Sequence, residues 1–401
     1  MGSFSALRST SGRDARSTGD MNFEFATATR IVFGAGKLDE AGALARSLGR
    51  RALLVIGKSA GAVQRVEPLL GALTEAGVEY ATFSVAGEPT IEVARTGTQR
   101  ARDERCDLVI GFGGGSMIDT GKAIAALLTN EGDPLDYVEV IGKGKAITQP
   151  SAPYLAIPTT AGTGSEVTRN AVLGSPEQYL KVSMRSPLML PRVALIDPKL
   201  TYDLPPQLTA TTGLDALTQL IEPFVSVRAN PLTDSICREG MMRVQRSLRR
   251  AYERGSDKKA REDMCVASLF GGMALANAGL GAVHGLAGPL GGMFDAPHGE
   301  LCAALLPNVM EVNRGMIRGP AGRGAVSAPT EIVRRFEEVV RIVGDLGELV
   351  RALKIKPLRT YGVKRDSFPA IIEKAKATSS LKGNPLPLRD EDLREILERA
   401  L

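Results

Sequence analysis

"DLVIGFGGGSMIDTGKAIA", residues 107–125, begins as an apolar run, passes through the consecutive glycines Gly113, Gly114 and Gly115, and continues with helical spacing. A strand that ends in bare backbone and feeds a helix is one unit of a parallel sheet with crossover helices. The unpaired N–H groups of such a helix's first turn, at the positive end of its dipole, attract anions. The glycines let a diphosphate come close, and Ser116 is placed to cap the helix or to bond a phosphate oxygen. A tight strand-to-helix turn with no ligand accounts for the same residues. The stretch is neither a GxGxxG fingerprint nor a GxxxxGK[ST] loop, because Lys122 follows Gly121 without the required spacing before it.

Working outward, the same alternation runs from Met21 to about Pro198. Further strands are expected at "RALLVIG" (51–57), "EYATFSV" (79–85), "YLAIPT" (154–159) and "RVALIDP" (192–198), each bounded by Gly, Pro or a polar cluster. After "DLPPQ" (203–207) the segments become long, rich in Ala, Leu and Arg, and helical in period. Helices are expected at 207–228, 232–253, 258–278, 331–352 and 389–400, with a loop-rich tract at 318–330. The organisation that follows is a short extension at 1–20, an α/β domain over 21–204 and an all-helical domain over 205–401. A chain of 401 residues exceeds one compact core and suits two domains.

Composition narrows the function classes. Hydrophobic residues make up 43% and charged residues 24%, an ordinary globular balance. With no Trp and 4% aromatic residues, aromatic stacking on bases is not expected, and the net charge of +5 is scattered instead of gathered into the positive face that nucleic acid requires. Cys106, Cys237, Cys265 and Cys302 show no close pairing, so neither a CxxC zinc site nor a disulfide framework is indicated, which fits a reducing cytoplasm. No stretch reaches the roughly 20 apolar residues of a membrane span. Residues 1–20 lack the apolar core of a secretory signal, and Asp14 and Asp20 argue against a transit peptide; a disordered extension is expected there.

Two other strand ends carry ligand-like chemistry. "PTTAGTGSEVTRN" (158–170) crowds hydroxyls and glycines where a parallel strand ends, which suits the lining of a ligand crevice. It also reads as a capped helix start, with Thr163 or Ser165 as cap and Glu166 in the first turn. At the end of "RALLVIG" stand Gly57 and Lys58, where an acidic residue would bond a ribose hydroxyl and repel a 2'-phosphate. Gly57 and Lys58 tolerate or attract that phosphate, and an ordinary solvated turn lysine is the other reading.

In the second half, "TTGLDALTQLIEP" (211–223) sets Asp215 and Gln219 one helical turn apart, so both point to one side. The chain's only two histidines, His284 and His298, fall in the nearly uncharged "GLGAVHGLAGPLGGMFDAPHG" (279–299). A carboxylate, an amide oxygen and two imidazoles can hold Zn²⁺ or Fe²⁺ with an open position. Each residue also has a plain role as helix cap, solvated helix residue or core side chain.

Together these motifs, with "IVFGAGKL" (31–38), "GEPT" (87–90) and "LKGNPLPLRDEDLREIL" (381–397), resemble the iron-containing (group III) alcohol dehydrogenases, a family that includes maleylacetate reductases. The resemblance covers nearly all of 21–401. It implies a Rossmann-like N-terminal domain binding NAD(H) or NADP(H), a helical C-terminal domain of dehydroquinate synthase-like plan, and a cleft between them. By match to the motifs, Gly114, Gly115 and Ser116 would contact the diphosphate, with Asp119 nearby. Thr159, Thr160, Thr163 and Ser165 would line the nicotinamide side, Lys181 a ribose, Leu200 the ring region, and Pro89 and Thr90 the edging loop. Asp215, His284 and His298 would be ligands of a divalent metal, Fe²⁺ or Zn²⁺, and carry the catalysis, with Gln219 as fourth ligand.

The family's metal-dependent members usually carry His where this chain has Gln219, and often another where it has Gly288. The first change weakens a metal site and the second removes a proton relay. The implied activity is hydride transfer between NAD(P)(H) and an alcohol/aldehyde or ketone pair. The alternatives are a metal-independent maleylacetate-type reductase, a dehydroquinate synthase-like lyase, and a pseudoenzyme that only binds cofactor. The resemblance further implies a small-molecule substrate and a homodimer or larger homo-oligomer.

Overall fold

In strand Arg51–Gly57 every residue after the first is buried, as is every residue of Leu108–Gly113 and Tyr154–Pro158. Strands apolar on both faces belong in the middle of a parallel sheet covered by helices on each side. The computed structural model, which describes residues 22–318 and 329–401, shows that sheet. Its strands are β1 (Arg30–Phe33), β2 (Arg51–Gly57), β3 (Glu79–Val85), β4 (Leu108–Gly113), β5 (Tyr154–Pro158) and β8 (Val193–Ile196), all parallel in the order β1-β8-β5-β4-β2-β3. A separate antiparallel hairpin, β6 (Asn170–Ser175) and β7 (Leu180–Arg185), lies between β5 and β8 in the chain.

The pleat sorts the side chains. Leu54 and Ile56 face α1 (Ala41–Leu48) and α2 (Ala60–Glu75), packing with Leu44, Leu69 and Leu73. Leu53 and Val55 point the other way, to Ile118 and Ile124 of α4 (Gly115–Thr129) and Ala101 of α3 (Ile91–Asp103). A short helix, α5 (Pro134–Tyr137), follows α4. The chain leaves β2 for β3 on one side and returns to β4 on the other, so the crevice at the carboxyl ends of β2 and β4 is the sheet's switch point, where α/β sheets bind ligands.

From Pro206 onward the described chain is helical. Its helices are α6 (Pro206–Val225), α7 (Pro231–Glu253), α8 (Lys258–Ala278), α9 (Ala282–Phe294), α10 (His298–Arg318), α11 (Thr330–Val343), α12 (Leu346–Ala352), α13 (Phe368–Ala377) and α14 (Asp390–Ala400). Leu217, Leu220, Phe224, Met241 and Leu248 interlock α6 and α7 within one large apolar core. Between α8 and α9 the axis turns by 99° at Gly279, which adopts a left-handed φ of 72°. Among the described residues no single helix is long and apolar enough to cross a membrane.

The expected strands are present, trimmed by one to three residues at 107–114, 154–159 and 192–198. Three expectations need correction. The single helix expected over 331–352 is two, because Gly344 takes φ 79° and Asp345 caps α12 by accepting from Glu348 N–H at 2.9 Å. The helix expected to reach 228 ends at Val225, two residues beyond Pro223. The expected strands also lack one, since Arg30–Phe33 precedes "RALLVIG" at the edge of the sheet. The extension at 1–20 and residues 319–328 of the loop-rich tract lie outside the described residues.

The loop after β5 is pressed onto the helical half at a glycine pair. Gly164 has φ 58°, and a Cβ on Gly272 of α8 would stand 2.2 Å from its carbonyl oxygen. Backbone meets backbone here, so no rotamer change relieves the clash. Gly272→Ala should therefore cost about 1–3 kcal/mol in denaturant unfolding and weaken cofactor binding by displacing the loop. Unchanged stability and unchanged cofactor titration would show that the contact is not needed.

Candidate active site

The carboxyl ends of the strands carry the expected cofactor residues. Gly57 is buried at the end of β2, Lys58 is exposed beyond it, and Ser59 caps α2 by accepting from Ala62 N–H. Gly114 occupies the cap position of α4 and Gly115 its first turn, with no side-chain cap. Ser116 is the second helical residue, so the capping role expected for it is corrected: the chain leaves the first-turn N–H groups open by capping with glycine. A Cβ on Gly115 would stand 2.7 Å from Thr163, and one on Gly114 would meet only Thr160, at 3.5 Å. The β4 and β5 loops therefore come together over bare backbone, the arrangement that admits a diphosphate.

The helix start expected at 163–166 is a short 3₁₀ turn, Ser165–Val167, whose cap position is Gly164 without a side-chain bond. Thr163 Oγ1 accepts from Ser165 N–H at 3.3 Å, and the Ser165 hydroxyl donates to Asp119. Asp119 also accepts from Val172 N–H at 3.0 Å, so it and Ser165 tie α4 to the hairpin. Beneath them lies Lys122, with no exposed surface. Its ammonium lies 2.8 Å from Ser165 O, 3.0 Å from Ser165 Oγ, 2.8 Å from Thr168 Oγ1 and 2.7 Å from Asn170 O. Burial pushes it below the usual lysine range, against the pull of Asp119 and Glu166. Burial likewise pushes the Glu166 carboxyl up to about 7.

Thr159 and Thr160 follow β5, with Thr159 N–H bonded to Gly113 O at 2.9 Å. Thr90 caps α3 through Val93 N–H at 3.1 Å, and Pro89 O accepts from Gly174 N–H at 2.7 Å, fixing that loop to β6. Lys181 of β7 pairs with Glu88 at 3.3 Å. Leu200, expected near the ring, is 7% exposed and packs with Val32 and Leu38 in the core beneath the sheet.

Opposite these loops, three helices deliver the polar cluster. Asp215 comes from the middle of α6, His284 from the first turn of α9 just after the 99° bend, and His298 from the first position of α10. Asp215 Oδ1 lies 3.4 Å from His284 Nε2 and 3.7 Å from His298 Nε2, and the two rings are 5.3 Å apart at 49°. Cys302, one turn after His298, sets Sγ 3.6 Å from its Nε2, and one donor atom from each of these four residues falls within 4.8 Å of all the others.

Gln219 Nε2 donates to Asp215 Oδ2 at 3.0 Å. Glu222, seven residues after Asp215 on the same helix face, receives His284 Nδ1 at 2.7 Å and Val283 N–H at 2.6 Å. That bond fixes the tautomer and leaves Nε2 facing the cluster. The loop after β5 is close by, since a Cβ on Gly162 would stand 2.7 Å from Thr212 of α6.

The donors fit a metal ion. Asp215 Oδ1 and Gln219 Oε1 are buried without a hydrogen-bond partner, a costly arrangement unless something else satisfies them. Bonds of about 2.0–2.3 Å in a tetrahedron would place donor atoms roughly 3.3–3.8 Å apart; three of the six separations here are 3.4, 3.6 and 3.7 Å, and all fall within 4.8 Å. Burial pushes the Asp215 carboxyl up, but His284 and His298 outweigh it and hold it below the ordinary carboxylate value. Burial also raises the Cys302 thiol, and the same imidazoles outweigh that and hold it below the usual thiol value.

The chain matches known proteins in both of its halves. A family model for iron-containing alcohol dehydrogenase matches residues 28–198, and one for the C-terminal part of the Fe-containing alcohol dehydrogenase family matches 209–401. The chain is 35% identical to the 1,3-propanediol dehydrogenase of Citrobacter freundii, covering 94% of this chain and 98% of that protein. It is 36% identical to long-chain-alcohol dehydrogenase 1 of Geobacillus thermodenitrificans, covering 92% and 96%. Among solved structures, a 1,3-propanediol oxidoreductase superposes with a TM-score of 0.84 at 34% identity, covering 95% of this chain and 100% of that one. Matched in both halves and along nearly its whole length, the chain belongs to the iron-containing alcohol dehydrogenase family of oxidoreductases.

Proposed function

We propose that this enzyme transfers hydride between NAD(P)(H), held by residues 21–204, and an alcohol/aldehyde pair bound beside a divalent ion held by residues 205–401. The observation that carries the reading is Asp215 Oδ1, buried without a hydrogen-bond partner at 3.4 and 3.7 Å from the imidazole nitrogens of His284 and His298 and beside Cys302, next to the loop that lines the crevice. The bound ion supplies a Lewis acid for the substrate oxygen, and the nicotinamide supplies or accepts the hydride.

The chain's own residues do the rest. Gly114, Gly115 and Ser116 present the first turn of α4 to the diphosphate, and Thr159, Thr160 and Thr163 hold the nicotinamide end. Glu222 keeps the proton on His284 Nδ1, so that Nε2 stays a donor atom throughout. Space at Gly288, where a Cβ would meet nothing within 4 Å, lets water carry the reaction's proton out. Because no acidic side chain stands at Gly57 or Lys58, NADP(H) is accepted.

Purified protein should oxidise NADPH in the presence of aldehydes, and lose that activity on dialysis against a chelator. No turnover with NADPH or NADH on any aldehyde, with cofactor binding intact, would overturn the reading.

A further inference from the structure

Gln219 is a poor candidate for the fourth donor. Its amide is neutral, its nitrogen is engaged by Asp215 Oδ2, and its Oε1, although buried without a hydrogen-bond partner, lies on the α8 side, 3.3 Å from where a Cβ on Gly271 would stand. Cys302 is placed differently. It sits four residues after His298 on the same helix face, it is fully buried, and its sulfur joins the other three donors within 4.8 Å. A buried cysteine that only fills a core is surrounded by apolar atoms. This one faces two imidazoles and a carboxylate whose Oδ1 has no hydrogen-bond partner.

We propose that Cys302 is a metal ligand, that the donor set of this chain is Asp215, His284, His298 and Cys302 with Gln219 outside it, the substrate oxygen joining as a fifth donor, and that the set holds zinc in preference to ferrous iron. The proposal rests on the reading that the cleft binds a divalent ion. A thiolate favours zinc over harder ions, and zinc stands above ferrous iron in the general affinity order. On binding, the S–H bond is replaced by a sulfur–metal bond and the proton passes to solvent. Gln219 then acts as a positioning residue, holding the second oxygen of Asp215 so that the first points inward.

Cobalt(II), a spectroscopic stand-in for zinc, tests the assignment without reference to turnover. Metal-free protein should take up a single cobalt ion per chain and show an intense near-ultraviolet thiolate-to-cobalt charge-transfer band. Cys302→Ser, close in size, should abolish the band and weaken zinc binding by at least about tenfold. Gln219→Ala should keep the band, and zinc should displace ferrous iron from the wild-type protein. A bound cobalt ion without the band overturns the Cys302 assignment and leaves the metal reading standing, as does metal loss in Gln219→Ala but not in Cys302→Ser. Failure of the wild-type protein to bind either cobalt or zinc overturns the proposal and the metal-dependent reading together.

Discussion

Asp215→Ala is expected to lower kcat/KM for aldehyde reduction by about 10³-fold or more while leaving the affinity for NAD(P)H nearly unchanged. Lewis-acid stabilisation of a developing alkoxide is worth several kcal/mol, and each 1.36 kcal/mol is about a factor of ten in rate. Asp215 contributes the anionic oxygen toward which both histidines converge, at 3.4 and 3.7 Å, and its loss leaves two imidazoles and a thiol without that oxygen. The turn proposed to hold the diphosphate is on a different element, the start of α4, and shares no hydrogen bond with Asp215. Chemistry and cofactor binding should therefore separate. Stopped-flow cofactor binding beside steady-state kinetics and metal analysis reads all three, and a variant that retains metal-dependent turnover would remove Asp215 from the centre of the mechanism.

How far this site was legible from sequence follows from what each residue's surroundings leave in the pattern. The central strands could be read because burial on both faces turns β2, β4 and β5 into apolar runs. Strand β1, only four residues long, and the hairpin β6–β7, with alternating burial, leave no such run. Helices α9 and α10 were hidden by their own composition: α9 contains Gly285, Gly288, Gly291, Gly292 and Pro289, and α10 contains Pro307, residues that ordinarily argue against a helix.

Asp215, His284 and His298 come together in the structure; the two histidines stand out in the sequence because histidine is so scarce, and Asp215 through its spacing of four from Gln219. Cys302 lies in the apolar run "LCAALL" with no second cysteine close by, and its spacing of four from His298 was the available signal. Glu222 could have been found in the same way, at the i, i+4, i+7 positions shared with Asp215 and Gln219. Lys122 could not, because nothing local distinguishes a lysine that will be buried from the usual solvated one. Its role depends on a loop more than forty residues away in the chain, Ser165 to Asn170.

That lysine carries the second large expected effect: Lys122→Met should cost about 3–5 kcal/mol of stability and raise the KM for cofactor, while leaving the metal content intact. The ammonium is enclosed by four oxygen atoms at 2.7 to 3.0 Å, three of them on Ser165 and Asn170 at the two ends of the cofactor loop's turn and one on Thr168 between them. Breaking a buried charged network by removing one partner costs about that much, because the stranded acceptors keep their desolvation penalty and lose their donor. Methionine matches the length of the stem, so the loss is of charge and hydrogen bonds and not of volume. The same bonds hold Ser165 where it donates to Asp119, and Asp119 in turn fixes the hairpin through Val172 N–H. Without the ammonium, the loop bearing Thr159, Thr160 and Thr163 loses its anchor to α4, and cofactor affinity should fall with it. The cluster of Asp215, His284, His298 and Cys302 is built by α6, α9 and α10 and needs none of these bonds. Denaturant unfolding, cofactor titration and metal analysis of Lys122→Met beside Lys122→Arg separate the cases. A loss of metal equal to the loss of cofactor binding would mean that Lys122 supports the fold as a whole, and unchanged stability would mean that water replaces the ammonium.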